Sequence, residues 1–392
     1  MIQTAQQQNS NGYLSVLYMS FELSHNKWKL AFGTGGNPRI VQIDARDLKR
    51  LGDEIAKAKR KFSLAPKTKV ICCYEAGRDG FWIHRYLQSI GHDNLVVDSS
   101  SIEVNRRKRR AKTDRIDAGK LYTMLVRHIR GEKHVWSVVR VPSRQDEDER
   151  RQHREISRLQ KEMGAHNNRI KSLLVTQGIV ADVNQELPKL LEEAVLWDGS
   201  HLSEQLKSEL LREYARWEIA REQLHTIRKE QHEQIKAAQK QGGNPKSSEV
   251  EKKLQMVVQL MSLCGVGERS AWPLVYEFLW RDFENRRQVG SAAGLCGTPY
   301  DSGESTREQG ISKAGNKRIR SLMVELSWFW LRYQPESTLT KWFNERFGHG
   351  GKRMRRIGIV AVGRKLLVML WRYSKFGEIP EGVRFKTMTI AA

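Results

Sequence analysis

Short apolar runs fill the front of the chain, and long helical periodicities fill the rest. Leu14–Phe21 and Lys27–Phe32 are rich in β-branched and aromatic residues and predict two strands, with Glu22–Asn26 as the hairpin turn between them. Arg39–Ile43 reads as a third strand. Asp44–Phe62 predicts a helix, with Asp44 as N-cap and Leu48, Leu51 and Ile55 turned inward. Thr68–Cys73 is a continuous apolar run, suited to a strand buried on both faces, and it leads into Tyr74-Glu75-Ala76-Gly77. A helix follows with Phe81, Ile83, Tyr86, Leu87 and Ile90 on its buried side, then a strand at Asn94–Val97. Asp114 opens a helix to about Ile129, and Pro142 closes this part of the chain. A meander followed by βα units is the order of ribonuclease-H-like folds, so residues 13–143 are expected to form an α/β domain.

From Gln145 the pattern changes. Ile156, Leu159, Met163, Ile170 and Leu173 follow heptad spacing, with His166 completing the seam. A second helix, about Ser203–Lys240, carries Leu206, Leu210, Tyr214, Trp217 and Leu224. The two predict an antiparallel pair within 144–241, joined near 178–202. Gly242-Gly243-Asn244-Pro245 opens a linker over 242–249. A mainly helical domain is expected over 250–375, flanked by tails at 1–12 and 376–392. No stretch approaches the ~18 apolar residues of a membrane span. The start of the chain has no signal-peptide character, and four cysteines, Cys72 and Cys73 adjacent and Cys264 and Cys296 isolated, fit neither a disulfide framework nor a zinc site. A reduced cytoplasm is the expected setting.

Charge sharpens the picture. Lys and Arg number 68 against 45 Asp and Glu, a net charge of +23. An excess of this size, and clustered, implies a polyanionic partner, nucleic acid first. One cluster is Arg106, Arg107, Lys108, Arg109, Arg110 and Lys112, directly before Asp114. Such runs are also commonly solvated or localisation signals. From Lys341 to the end there are 12 cations and 3 carboxylates, among them Lys352, Arg353, Arg355 and Arg356. Trp342, Phe347, Trp371 and Tyr373 interleave with them. That mixture suits RNA by stacking and phosphate contact, and equally a helical core with a basic outer face.

Four carboxylates carry candidate chemistry. Glu75 closes a buried strand, and in open α/β sheets ligands gather at the carboxyl ends of strands. Glu22 ends the first strand. Asp114 and Asp117, three apart at a helix start, point to one face. Together they form an oxygen-donor set for Mg²⁺ or Mn²⁺, and two such ions suit phosphodiester chemistry. Asp114 as N-cap and Asp117 as a first-turn acid is the structural alternative. Further on, Leu263-Cys264-Gly265-Val266-Gly267 resembles the glycine turn of helix-hairpin-helix motifs, or is an ordinary turn. Ser302 lies in a Gly-flanked loop ahead of Lys313, Lys317, Arg318 and Arg320. It reads as a nucleophile with cations nearby, or as a loop residue hydrogen-bonding phosphate.

Two blocks are specific. KTDRIDA, over Lys112–Ala118, and GLCGTPYDSGES…GISKAGNKRIR, over Gly294–Arg320, resemble DEDD transposases of insertion sequences of the IS110 type. The likeness covers about residues 14–375. It implies a RuvC-like domain, a coiled-coil middle and a transposase domain with an essential serine. By that resemblance Glu75, Asp114 and Asp117 match the second to fourth acidic positions and Ser302 the serine, with Ser305 close by. Glu22 stands where the family has Asp, one methylene shorter. The resemblance further implies a bridge RNA that pairs with donor and target DNA. It implies a tetramer of two dimers, with carboxylates from one subunit meeting the serine of another, and a phosphoserine intermediate. Two rival readings fit the residues: a metal-dependent junction nuclease that leaves Ser302 structural, and a non-catalytic RNA- and DNA-binding protein.

Overall fold

The computed structural model describes residues 16–102, 114–132, 134–241, 248–302 and 305–386. The segments expected as the first tail, the basic run 106–112 and residues 242–247 of the linker lie outside them. The chain divides into two compact units, Met1–Pro142 and Ser143–Ala392.

The first unit is built on a five-stranded sheet. Its strands are β1 (Leu17–Leu23), β2 (Lys27–Gly33), β3 (Arg39–Asp44), β4 (Val70–Glu75) and β5 (Asp93–Val97), in the order β3-β2-β1-β4-β5. β1, β2 and β3 form an antiparallel meander, while β4 lies parallel to β1 and β5 parallel to β4. The pleat sorts the strands into two faces. Leu17, Met19 and Phe21 of β1, with Val70, Cys72 and Tyr74 of β4, pack under α1 (Leu48–Lys61) and α2 (Trp82–Ser89) through Leu51, Ile55, Ile83 and Leu87. The opposite face, with Tyr18, Ile71 and Cys73, is covered by α3 (Asp114–Ile129), whose Ala118, Leu121, Tyr122 and Leu125 are buried at helical spacing. This explains why VICCY is apolar at every position: both faces of β4 are covered.

Two local expectations change. Glu22 belongs to β1, opposite Lys29, and the turn is confined to Ser24–Asn26. The cap of α1 is Asp47, whose carboxylate accepts from the Arg50 amide, whereas Asp44 ends β3 and pairs with Lys27.

The second unit is mostly helical. α4 (Arg144–Glu149) begins at a Ser143/Asp146 capping box. α5 (Arg151–Val175) and α7 (Glu204–Gln241) pair antiparallel: Leu159 packs on Ala220 and Leu224, while Ile170 and Leu174 pack on Leu210, Tyr214 and Trp217. The short α6 (Leu187–Glu193) closes their end through Leu187 and Leu191. Midway along the pair, buried Glu213 accepts from His166 at 2.6 Å, Arg216 at 2.7 Å and Arg169 at 2.9 Å. Ser248, expected in the linker, caps α8 (Glu249–Met261) through a capping box with Glu251.

Beyond it lie α9 (Glu268–Leu274), α10 (Arg286–Ala292), the strands β6 (Gly297–Ser302) and β7 (Ser305–Ile311), α11 (Lys317–Tyr333), α12 (Thr338–Phe343) and α13 (Lys352–Phe376). Val266, Trp272, Met323, Trp330, Val362, Leu366 and Leu370 belong to one core. The glycine turn between α8 and α9 is bound into this body. The Cys264 amide donates to the Arg384 carbonyl and the Gly267 amide to Ser270 Oγ. Residues 377–386, expected as tail, fold back across it: Phe385 bridges to Leu263, and the Lys386 amide donates to the Ser262 carbonyl. Among the described residues no helix is long and apolar enough to cross a membrane.

Candidate functional site

The carboxylates of the first unit meet at one end of one face. Phe21 pairs with Tyr74 across the parallel β1–β4 ladder, so Glu22 and Glu75 follow at the same level on adjacent strands. Both share the α3-facing side with Ser20 and Cys73, two residues earlier. Ser20 Oγ donates to the Ala118 carbonyl at 2.8 Å, which fixes α3 over β1. Tyr122 lies one turn further on, and its hydroxyl accepts from the Gly35 amide at 2.8 Å, just beyond Gly33, which pairs with Tyr18. The helix therefore runs from the carboxyl end of β1 toward its amino end. Its first turn, with Asp114 and Asp117, lies at the same end as Glu22 and Glu75. Glu75 is exposed and Glu22 half-buried. Among the described residues no three His, Cys, Asp or Glu side chains stand close enough to hold a metal ion. Asp114 and Asp117 enter by backbone position. Cys73, on the same face, is fully buried, and burial pushes its thiol pKa up, so it offers no thiolate.

Ser302 sits on a ribbon rather than in a loop. β6 and β7 pair antiparallel, with Gly297 opposite Ile311 at the base and Ser302 opposite Ser305 at the far end. The base is a backbone crossing. The Ser312 amide donates to the Cys296 carbonyl and the Asn316 amide to the Ala292 carbonyl, both at 2.8 Å. Gly294 and Gly315 have φ of +67° and +123°. A Cβ on Gly315 would fall 2.5 Å from the Ala292 oxygen, and one on Gly294 would fall 2.4 Å from the Ala314 oxygen. Glycine is required at both for conformation and for space. The two halves of the C-terminal motif are thus the two sides of one clasp.

The cations divide into two kinds. Lys313, Lys317 and Arg318 are exposed around the start of α11, whose cap is the Asn316 side chain. Arg320 instead donates to the carbonyls of Lys313 at 2.9 Å and Ala293 at 3.4 Å, and so ties the clasp. Lys352, Arg353, Arg355 and Arg356 are all exposed at the start of α13, which has no acid in its first turn. Positive charge at a helix N-terminus opposes the dipole, a cost that a bound anion relieves. The aromatics expected to stack beside them do not face outward. Phe347, Trp371 and Tyr373 are buried in the core, and Trp342 is partly buried against it under Lys365.

One buried charge cluster is almost silent in the sequence. Glu277 lies on a π-helical turn, Val275–Leu279, and is nearly inaccessible. Arg154 of α5 grips it with two bonds, Nε to Oε1 at 2.6 Å and Nη2 to Oε2 at 3.0 Å. His153 Nε2 is 3.0 Å away, and Arg318 Nε is 3.9 Å away. Burial by itself raises the Glu277 pKa, but His153 and Arg154 override it and bring it down to about 2. Burial lowers His153, against the pull of Glu277. Only a Glu flanked by apolar residues, in VYEFLW, hints at this in the sequence.

A basic chain with a carboxylate-ended α/β sheet and a helical unit bearing a serine ribbon has the organisation of a nucleic-acid-processing enzyme. The model of the transposase IS116/IS110/IS902 family matches residues 258–341, which include the ribbon and its clasp. "Putative transposase y4rJ" of Sinorhizobium fredii is 38% identical over 382 residues, covering 95% of this chain and 96% of that protein. "Putative transposase y4qE" of the same organism is 27% identical over 275 residues, 68% of this chain and 60% of that one. The "Transposase for insertion sequence element IS1533" of Leptospira borgpetersenii is 24% identical over 188 residues, 47% of this chain and 48% of that one. The chain belongs to the IS110/IS116/IS902 family of transposases.

Proposed function

We propose that this transposase is an RNA-guided recombinase that cuts and rejoins donor and target DNA through a phosphoserine at Ser302. The observation that carries the reading is the pairing of two features in one chain. Glu22, Glu75 and the Asp114–Asp117 turn share one end of one sheet face, and Ser302 is the last paired residue of a separate ribbon. The sheet order β3-β2-β1-β4-β5, with an antiparallel meander feeding parallel βα units, supports the RuvC-like reading of the first unit.

The donor set at the sheet end is oxygen only, with the one nearby thiol buried and protonated, and this fits Mg²⁺ or Mn²⁺. Bound there by Glu22, Glu75, Asp114 and Asp117, the ion would polarise the scissile phosphate and stabilise the departing oxygen. The Ser302 hydroxyl oxygen attacks phosphorus, the bond from phosphorus to one deoxyribose oxygen breaks, and the serine proton passes through solvent to that departing oxygen, leaving a serine phosphodiester and a free deoxyribose hydroxyl. A deoxyribose hydroxyl of the second DNA reverses the step and frees the serine. Lys313, Lys317 and Arg318 hold the phosphate charge that builds during attack. The basic run at 106–112 and the cations opening α13 hold backbone phosphates.

A site completed by two subunits, in a tetramer of two dimers, comes to this reading from the family resemblance, and so does the guide RNA. Glu22 for Asp lengthens one ligand by a methylene, and the ligand set retains its charge.

The test is a denaturing gel with purified protein, the RNA encoded beside its element, Mg²⁺, and labelled donor and target DNA. The expected result is a protein–DNA adduct that requires RNA and disappears in Ser302→Ala. An adduct that persists in Ser302→Ala would refute the nucleophile. Metal-dependent nicking with no adduct would make the protein a nuclease. RNA binding with intact DNA would make it a binding protein.

A further inference from the structure

Three neighbouring rings on α11 face solvent. Trp328 and Phe329 are each 42% exposed and Tyr333 is 47% exposed. The Phe329 and Tyr333 rings lie within 21° of parallel with centroids 6.4 Å apart, and the Arg332 guanidinium lies 5.5 Å over Tyr333. Arg318, seven residues before Glu325 and eleven before Phe329, falls on the same helical face and is exposed. The buried side of this helix is complete without them, since Ile319, Met323, Leu326 and Trp330 fill the core. The backbone beneath is fixed by the glycine turn, where a Cβ on Gly265 would lie 3.3 Å from Tyr333 Cβ.

Exposed aromatic faces flanked by the guanidinium groups of Arg318 and Arg332, with the exposed Glu325 carboxylate between Arg318 and the rings, match a nucleic-acid strand with unpaired bases, which offers π-faces and phosphates. A second copy of this chain is a poorer match, because it brings the same cations, Lys317, Arg318 and Arg332, against themselves in a protein of net charge +23. From Arg318 to Tyr333 the helix spans about 22 Å, roughly six stacked nucleotides. It begins directly after the clasp that roots the Ser302 ribbon.

We propose that the outer face of α11 is a stacking platform for an unpaired stretch of DNA next to the cleavage point. The proposal rests on the reading of Ser302 as the residue that cuts DNA.

The experiment measures binding of fluorescein-labelled twelve-nucleotide single-stranded DNA, RNA of the same sequence, and the matching DNA duplex, all at one salt concentration. Full-length wild-type protein is compared with Phe329→Ala/Tyr333→Ala, Phe329→Tyr and Arg332→Gln. The double variant is expected to bind single-stranded DNA about ten-fold more weakly and duplex within about two-fold of wild type. Phe329→Tyr keeps a ring and should bind as wild type. Arg332→Gln removes no packed ring, so its expected three-fold loss does not depend on folding. Unchanged single-strand affinity in both the double variant and Arg332→Gln would overturn the platform. So would a loss confined to RNA, or a smaller assembly of the double variant by light scattering, which would assign the face to a second copy. A wild-type protein that binds none of the three probes would remove the nucleic-acid reading itself.

Discussion

Glu277 shows what a single residue can hold together. Its carboxylate links α5 to the turn before α10 and stands beside the first turn of α11, and it does so ionised and out of water. Replacing one partner of such a buried group leaves the others uncompensated, so Glu277→Gln is expected to destabilise the second unit by about 2–3 kcal/mol, read as a lowered thermal midpoint. The folded pKa near 2 lies below the ordinary value of 4.5, so this contribution is complete above about pH 4.5 and fades as pH falls toward about 2. Acid titration should therefore separate wild type from Glu277→Gln less and less over that range. A constant gap down to pH 2 would sink the assignment. In the sequence Glu22 opens the turn, since a carboxylate after an apolar run ordinarily marks a strand's end. It lies in the strand because the far end of the α3-facing side is open enough to accept charge, as the exposure of Glu75 beside it shows.

Elements differ in how plainly the sequence writes them. The α5–α7 pair was legible because two helices that bury only a seam must repeat apolar residues at that seam, and Leu159, Ile170, Leu210 and Leu224 do. The α/β alternation was legible because VICCY can only suit a strand covered on both sides. The ribbon was not, since GTPYDS and STREQGI contain the small and polar residues of a loop, and their pairing follows from the clasp below them. Nor was the exposure of the α11 rings or the burial of Trp371 and Tyr373 on α13, because both helices are apolar over much of their circumference and periodicity alone does not choose the inner side. At the site, the sheet-end carboxylates followed from strand ends, while Glu277 depends on residues 123 positions apart in sequence. The clasp makes a sharp expectation. Gly315→Ala places a methyl against the Ala292 oxygen at positive φ and should cost about 3 kcal/mol or unfold the ribbon. Ser302-dependent adduct should vanish while binding through α13 and duplex affinity persist. Full adduct formation in Gly315→Ala would contradict it.

At the scale of the whole molecule, 23 excess positive charges set how it meets a polyanion. If the exposed cations of α13, Lys313, Lys317 and Arg318 together neutralise six or more phosphates, duplex affinity should fall by about 10³ between 50 and 200 mM salt. Charge reversal of Arg353 and Arg355 should flatten that slope by about two contacts. A salt-independent affinity would mean that the charge serves solubility alone. The ribbon adds a mechanical point. Six residues of strand carry Ser302 about 17 Å from the backbone crossing that roots it. Reactive groups must be held within about 0.5 Å. At that radius the tolerance is a rotation of about 2° at the root. A long lever magnifies every looseness of its fulcrum. At this fulcrum main chain rests on main chain and the Arg320 guanidinium cross-ties the two sides, so few side-chain rotations can loosen it.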